Sequence, residues 1–234
     1  MKHPQFIISL YGWTFWLPIA IAGTLLTGLC TLIAANAPQS APLAWAIAIV
    51  AGLLTFAGLA FFRDFPRTVP TDAGIMVAPA DGKITEITRL EHHPLLDGRP
   101  ALKIGIFLSV LDVHINRSPC DGIILARHYA EGLFLDARHP ESGLKNQSNT
   151  LVLGSAQAGD QHAIAVVRQV VGAIARRIIA PVAIGDRLAR GERFGMIAFG
   201  SRTELIVPEP DRWDVKVHIG QHVKGGVTVM IGRV

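Results

Sequence analysis

Between His3 and Phe62 the chain contains no Asp, Glu, Lys or Arg, and beyond Phe62 it changes to short apolar runs interrupted by glycine, proline, asparagine or a charge. A helix needs about 20 apolar residues to cross the hydrocarbon core of a bilayer, and the uncharged stretch has room for two. The pattern predicts one helix from about Trp13 to Ala35 and another from about Leu43 to Phe62. Between them lies Asn36-Ala37-Pro38-Gln39-Ser40-Ala41-Pro42, a short polar segment whose two prolines suit a tight hairpin. Tyr11, Trp13 and Trp16 gather at one end of the first helix, as aromatic residues do at a membrane interface. A signal peptide fits less well, because the apolar stretch far exceeds the usual core of about 7–15 residues and a second one follows. A buried helical hairpin of a soluble protein is the remaining alternative.

Past Arg63 the apolar runs have strand length. Strands are expected at 75–78, 82–88, 102–109, 122–129, 150–154, 163–170, 177–180, 194–199, 203–207 and 227–231, with a short helix near 110–116. Residues 63–234 thus read as a mostly β domain behind a helical membrane hairpin at 1–62. Two segments share the form Gly-x-x-(Leu/Val)-x-x-Gly, from Gly185 to Gly191 and from Gly220 to Gly226, and each precedes a strand. Such paired turns resemble those of barrel-sandwich hybrid domains, the fold of biotinyl and lipoyl carriers. A carrier role itself is disfavoured, because no lysine flanked by methionines sits at a hairpin tip. One long polar segment, from Ala130 to Asn149, interrupts the strands and contains the apolar triplet Leu133-Phe134-Leu135. Loops this long are usually functional or disordered, and this one is expected either to face a bilayer or to pack on the core.

Charge orients the hairpin. Lys2 and His3 precede the first helix, and Arg63 and Arg67 follow the second. Positive flanks favour the cytoplasmic side, which puts both ends and the β domain there, against the inner face of the cell membrane. The domain holds every Lys and Arg except Lys2, 21 of the chain's 22, against all 18 Asp and Glu. So small an excess gives no reason to expect a nucleic-acid partner. It suits an anionic lipid surface or a solvated face equally. Cys30 and Cys120 fall in different parts of the chain, and neither has metal-ligand spacing, so no metal site is expected.

Three short motifs carry candidate chemistry: Pro79-Ala80-Asp81-Gly82, Asp112-Val113-His114-Ile115-Asn116-Arg117, and the Gly200-Ser201 step inside Gly195–Leu205. Each is weak alone, since Asp-Gly and Gly-Ser are turn sequences and most of nine histidines are surface residues. Taken in this order, with Arg63-x-x-Pro66-Arg67 upstream, they resemble the short bacterial and archaeal form of phosphatidylserine decarboxylase over about Phe62 to Val234. The resemblance implies a proenzyme that cuts itself between Gly200 and Ser201 and turns Ser201 into a covalent pyruvoyl cofactor. It implies His114 as the base and Asp81 as its orienting acid, in the manner of a Ser-His-Asp arrangement. It also implies phosphatidylserine as the substrate and phosphatidylethanolamine and CO2 as products, with the two fragments remaining paired. Asn116, Arg117, Asn146 and Asn149 are the polar residues expected to hold the substrate's phosphate or carboxylate. Longer family members carry a second histidine three residues after the first, where this chain has Arg117. That leaves open whether His114 serves both processing and turnover; His162, His218 and His222 stand as substitutes.

Two readings from other classes compete. A non-catalytic, membrane-anchored barrel-sandwich adaptor explains the hairpin and the glycine repeats, and it requires an intact chain. A zinc hydrolase lacks its His-x-His pair; His218 and His222, four apart, are poorly spaced for two ligands on a strand.

Overall fold

The structure is a computed structural model and describes residues 7–136, 139, 141–155, 162–173, 177–198 and 201–234. It divides into two compact units, Met1–Pro66 and Arg67–Val234.

The first unit is a pair of helices, α1 (Trp13–Asn36) and α2 (Ala41–Phe61). At about 1.5 Å rise per residue, both are long and apolar enough to cross a membrane. Their mutual contact is made by small residues: Cys30 and Ala34 on α1 and Ala44, Ala48 and Ala51 on α2 are buried. Gly23 lies so close to Thr55 that a Cβ would fall 1.8 Å from its Oγ1. Small residues allow this approach when the surroundings are as apolar as the helices themselves. Leu25, Leu29, Leu53, Leu54 and Phe56 point outward instead. The hydroxyls of Thr31 and Thr55 and the amide of Asn36 donate to carbonyls of their own helices, at 2.7, 2.7 and 2.8 Å. No outside partner is needed for them, which is the requirement a lipid environment imposes.

The second unit is mostly β, with fourteen strands among the described residues. In chain order they are β1 (Ile75–Val77), β2 (Gly82–Leu90), β3 (Ala101–Leu108), β4 (Ile115–Arg117), β5 (Gly122–Ala130), β6 (Ser148–Gly154) and β7 (Ala163–Val171). There follow β8 (Arg177–Ile179), β9 (Arg187–Leu188), β10 (Arg193–Ala198), β11 (Ser201–Pro208), β12 (Trp213–Val215), β13 (His222–Val223) and β14 (Val229–Arg233). A four-residue helix, α3 (Ser142–Lys145), interrupts the long polar segment. Eight strands form one antiparallel sheet in the order β13-β2-β3-β11-β7-β6-β5-β9, and two three-stranded sheets, β1-β14-β12 and β4-β10-β8, accompany it. Ile104, Ile106, Leu151, Leu153, Val167 and Leu205 supply the centre of the core, every one essentially inaccessible. They alternate along β3, β6, β7 and β11, which is the period-2 pattern that puts one face of each strand inside.

All ten expected strands are present, within two residues at their ends except for the 199 end of the strand expected at 194–199, which lies outside the described residues. The helix expected near 110–116 is not formed. Asp112 Oδ2 instead accepts from the amide and the hydroxyl of Ser109, both at 2.7 Å. That side-chain capture closes a turn over 109–112 and competes with helix formation, and β4 follows at once.

The glycine repeat is real in three dimensions. Gly185 and Gly191, and Gly220 and Gly226, all have φ between +75° and +93°, a region costly for any residue with a side chain. The two repeats embrace β9 and β13, the opposite edges of the eight-stranded sheet. A Cβ on Gly226 would lie 3.4 Å from the Cα of Gly191, so the sheet curls until its edge turns touch. At Gly191 a Cβ would also fall 2.4 Å from Val69 Cγ2. We therefore expect Gly191→Ala to lower stability by about 1–3 kcal/mol, read as a drop in the thermal unfolding midpoint. Gly98→Ala, with the same sign of φ but open space around it, should cost visibly less.

Candidate active site

Ser201 opens β11, and its backbone pairs with Leu108 of β3 on one side and Val171 of β7 on the other. The residue is fully buried, and its Oγ has no hydrogen-bond partner among the described residues. A buried hydroxyl left without a partner costs about 1–3 kcal/mol, so its presence calls for a chemical reason. Gly200, the other half of the proposed junction, lies outside the described residues.

His114 reaches the same end of the sheet from two directions. It follows the 109–112 turn that leaves Leu108, the neighbour of Ser201. Its carbonyl accepts from the amide of Ile197 on β10, the strand that runs toward the junction. The ring is wholly buried, with Nδ1 2.9 Å from the carbonyl oxygen of Asp112. A carbonyl can only accept, so Nδ1–H is the donor in this bond.

Asp81 belongs to the turn before β2. Gly82 after it has φ +147° and sits where a Cβ would be 2.2 Å from the carbonyl oxygen of Phe107, so only glycine lets β2 come this close to β3. The Asp81 carboxylate is shared between Arg67, at 2.9 Å, and the backbone amide of Gly225 in the second glycine repeat, at 2.8 Å. Its two oxygens thus tie the Arg67 segment and the β13 turn to the start of β2. The orientation of the His114 ring is set at Nδ1 by Asp112.

Two of the polar residues expected around a substrate, Asn116 and Asn149, are joined through Gln169. Asn116 donates to Thr203 Oγ1 at 3.0 Å and accepts from Gln169 at 2.8 Å, Gln169 accepts from Asn149 at 2.8 Å, and Asn149 accepts from Arg127 at 2.9 Å. Asn116, Gln169, Asn149 and Thr203 are all fully buried. Thr203 is two residues from Ser201 on the same strand and so shares its face. Asn146 fastens the long polar segment, bonding both the amide and the carbonyl of Leu135 (2.9 and 2.8 Å) and the carbonyl of Val171 (2.8 Å). Arg117 donates to the carbonyl of Gly191 at 3.0 Å. Sequence reasoning missed Gln169, whose only signal was an amide inside an apolar strand.

On the outer face of β11 a second polar cluster alternates with this one. Arg202 pairs with Glu86 and, at 2.9 Å, with Glu204, while Lys103 lies 2.6 Å from Glu86. Burial alone would raise the Glu86 carboxyl, but Lys103 and Arg202 outweigh it and hold the group below its ordinary range. Burial pushes the Cys120 thiol up to about 12, which leaves it inert.

A cleft of about 700 Å³ opens elsewhere, among β1, β12 and β14, and none of Ser201, His114 or Asp81 lines it. Its arginines are engaged by the protein itself, Arg190 by the carbonyl of Asp72 at 2.7 Å and Arg212 by Glu209 at 2.9 Å. Among the described residues no group of three His, Cys, Asp or Glu is placed to hold a metal ion.

The site thus combines a buried serine hydroxyl without a partner among the described residues, at the start of a central strand, with a buried histidine on the loop from its neighbour. The comparisons with known proteins make this specific. The family model for phosphatidylserine decarboxylase matches residues 56–231. Curated relatives named phosphatidylserine decarboxylase proenzyme include one from Nitrosomonas eutropha, 39% identical over 97% of this chain and 96% of its own length. Others are from Burkholderia mallei, 38% identical over 98% and 97%, and Nitrosomonas europaea, 40% identical over 97% and 96%. The chain belongs to the phosphatidylserine decarboxylase family.

Two outcomes test this description. Gln169→Leu strands the Asn116 acceptor and the Asn149 donor together, and should cost about 2–5 kcal/mol, roughly one desolvation penalty for each, in a chemical-denaturation measurement. Glu86→Gln should lower the thermal midpoint at pH 7. The folded carboxyl is depressed, so its contribution is present above the unfolded value of 4.5 and is lost as pH falls through the lower folded value; the difference between variant and wild type should therefore shrink below pH 4.5.

Proposed function

We propose that this protein is a membrane-bound, pyruvoyl-dependent decarboxylase that converts phosphatidylserine to phosphatidylethanolamine and CO2 after cutting itself between Gly200 and Ser201. The observation that carries the reading is the buried Ser201 Oγ without a partner, in a chain of this family. Its hydroxyl, free of competing hydrogen bonds, attacks the Gly200 carbonyl carbon while His114 Nε2 takes the proton. The peptide nitrogen becomes an amine and the link becomes an ester. Removal of the Ser201 α-proton then breaks the Cβ–O bond, releasing Gly200 as a carboxylate and leaving an enamine at position 201. Addition of water and loss of ammonia give the pyruvoyl group. When present, that group supplies an electron sink for the pair left when the substrate loses CO2. The chain's own contribution is to exclude water at a fully buried position, to return a proton through His114 and to keep the strand in register.

Asp81 supports His114 by holding the Arg67 segment and the Gly225 turn around it. Asn116, Arg117, Asn146 and Asn149 are assigned to the substrate's surroundings, and the hydrogen bonds they already make suit them to frame the headgroup. The two fragments would stay paired as a heterodimer. The 34 residues from 201 to 234 include β11, between β3 and β7, together with β13 on β2 and β14 on β1. The edge turns that meet at Gly191 and Gly226 support kinship with barrel-sandwich hybrids. The apolar pair α1 and α2 supports anchoring in the cell membrane, with the positive flanks favouring the cytoplasmic side for the β domain.

Intact mass spectrometry tests the proposal. Wild type should separate into two fragments, the smaller beginning at position 201 and lighter by one ammonia than the same peptide with an N-terminal serine. Ser201→Ala should remain whole, and His114→Ala should process more slowly by about 10²–10⁴-fold. A whole, folded wild-type chain would point instead to the membrane adaptor.

A further inference from the structure

Two loops leave the large sheet at the end that carries Ser201, one on each side of it. The 109–112 turn follows Leu108, the direct partner of Ser201 on β3. The segment holding α3 leads into Ser148 at the start of β6, which pairs with Val170 of β7. In the order β3-β11-β7-β6, the loop roots are three strand spacings apart, about 14 Å, with Ser201 between them.

Both loops are pinned, yet both hold large apolar side chains out in solvent. Asp112 closes the first with its two hydrogen bonds to Ser109, and Leu111 at its tip is 83% exposed. Asn146 fastens the second to Leu135 and Val171, and Leu144 is 84% exposed, with Leu133 at 53%. By contrast, the exposed Ile184 lies at the opposite end of the sheet, in the turn before β9, as scattered exposed apolar residues commonly do.

We propose that this end of the sheet docks on a lipid bilayer through Leu111 and Leu144, so that a phospholipid passes from membrane to Ser201 without crossing water. The inference rests on the decarboxylase reading for its choice of occupant. A substrate with two acyl chains cannot leave the bilayer cheaply, at roughly 0.8 kcal/mol for each CH2 withdrawn from it, so a buried reaction centre has to come to the surface. Ordered apolar tips flanking the site match the hydrocarbon edge of such a surface.

The experiment uses the full chain reconstituted in phosphatidylcholine vesicles containing phosphatidylserine. The double variant L111D/L144D should lose activity toward bilayer phosphatidylserine by about tenfold or more and keep its activity toward dispersed dihexanoyl phosphatidylserine. Equal activity on bilayer substrate, or an equal loss on both substrates, overturns the proposal. A second arm does not depend on activity. Both native cysteines are buried, so L144C can be labelled selectively with a fluorophore in the reconstituted protein. Quenching by lipids brominated on their acyl chains supports docking. Absence of quenching overturns it, and so does protection that appears only as protein density rises, which would make the rim a contact with a second copy of this chain. A wild type that is uncut and inactive on both substrates would defeat the decarboxylase reading, while the quenching result would still decide whether the rim meets the bilayer.

Discussion

The antiparallel pairing of β11 between β3 and β7 is the constraint on which the rest of the β unit depends. Eight consecutive residues, Ser201 to Pro208, are in register with β3, and the strand sits at the centre of the sheet instead of its edge. Because the ladder runs from Ser201 onward, the first residue of the strand is fixed on both sides. Inward and outward faces then follow from the two-residue period. Ser201 and Thr203 look toward the buried amides, and Arg202 and Glu204 look toward the ionic cluster with Glu86 and Lys103. One strand therefore separates a neutral hydrogen-bonded interior from a charged exterior. The neutral side can hold an unpartnered hydroxyl in place without offering it an ionic partner.

Much of this was legible in the residues. Strand positions followed from β-branched runs between glycines and prolines, and the two apolar helices from sixty residues without charge. The glycine repeat announced turns that the structure confirms at Gly185, Gly191, Gly220 and Gly226. What the sequence did not disclose depended on contacts between distant segments. The short strands β9 and β13 hold two residues each, too few to leave a pattern. The helix expected near 110–116 was lost to one side chain, because Asp112 captures Ser109. At the site, Asp81, His114 and Ser201 are recognisable by motif and do gather at one end of the sheet. Their partners are not recognisable that way. That the Asp81 carboxylate meets Gly225, 144 residues later, or that Gln169 joins Asn116 to Asn149, is a product of topology that no local spacing encodes.

The amide chain changes how the polar residues around the site are understood. Read singly, Asn116 and Asn149 are free donors and acceptors waiting for an anion. Read together with Gln169 and Thr203, they are a continuous buried network in which each member fixes the orientation of the next. Low local polarity makes such a network rigid when complete and expensive when broken. Rigidity here lies directly under the strand that begins with Ser201.

The bond from Asp81 to the Gly225 amide also has a consequence in time. Residue 225 leaves the ribosome after Ser201, and β13, an edge strand of the large sheet, and β14, the middle strand of a three-stranded sheet, come later than β11. The surroundings of Ser201 are therefore incomplete on any nascent chain. The large sheet is complete only once the segments on both sides of Ser201 have been made and have paired.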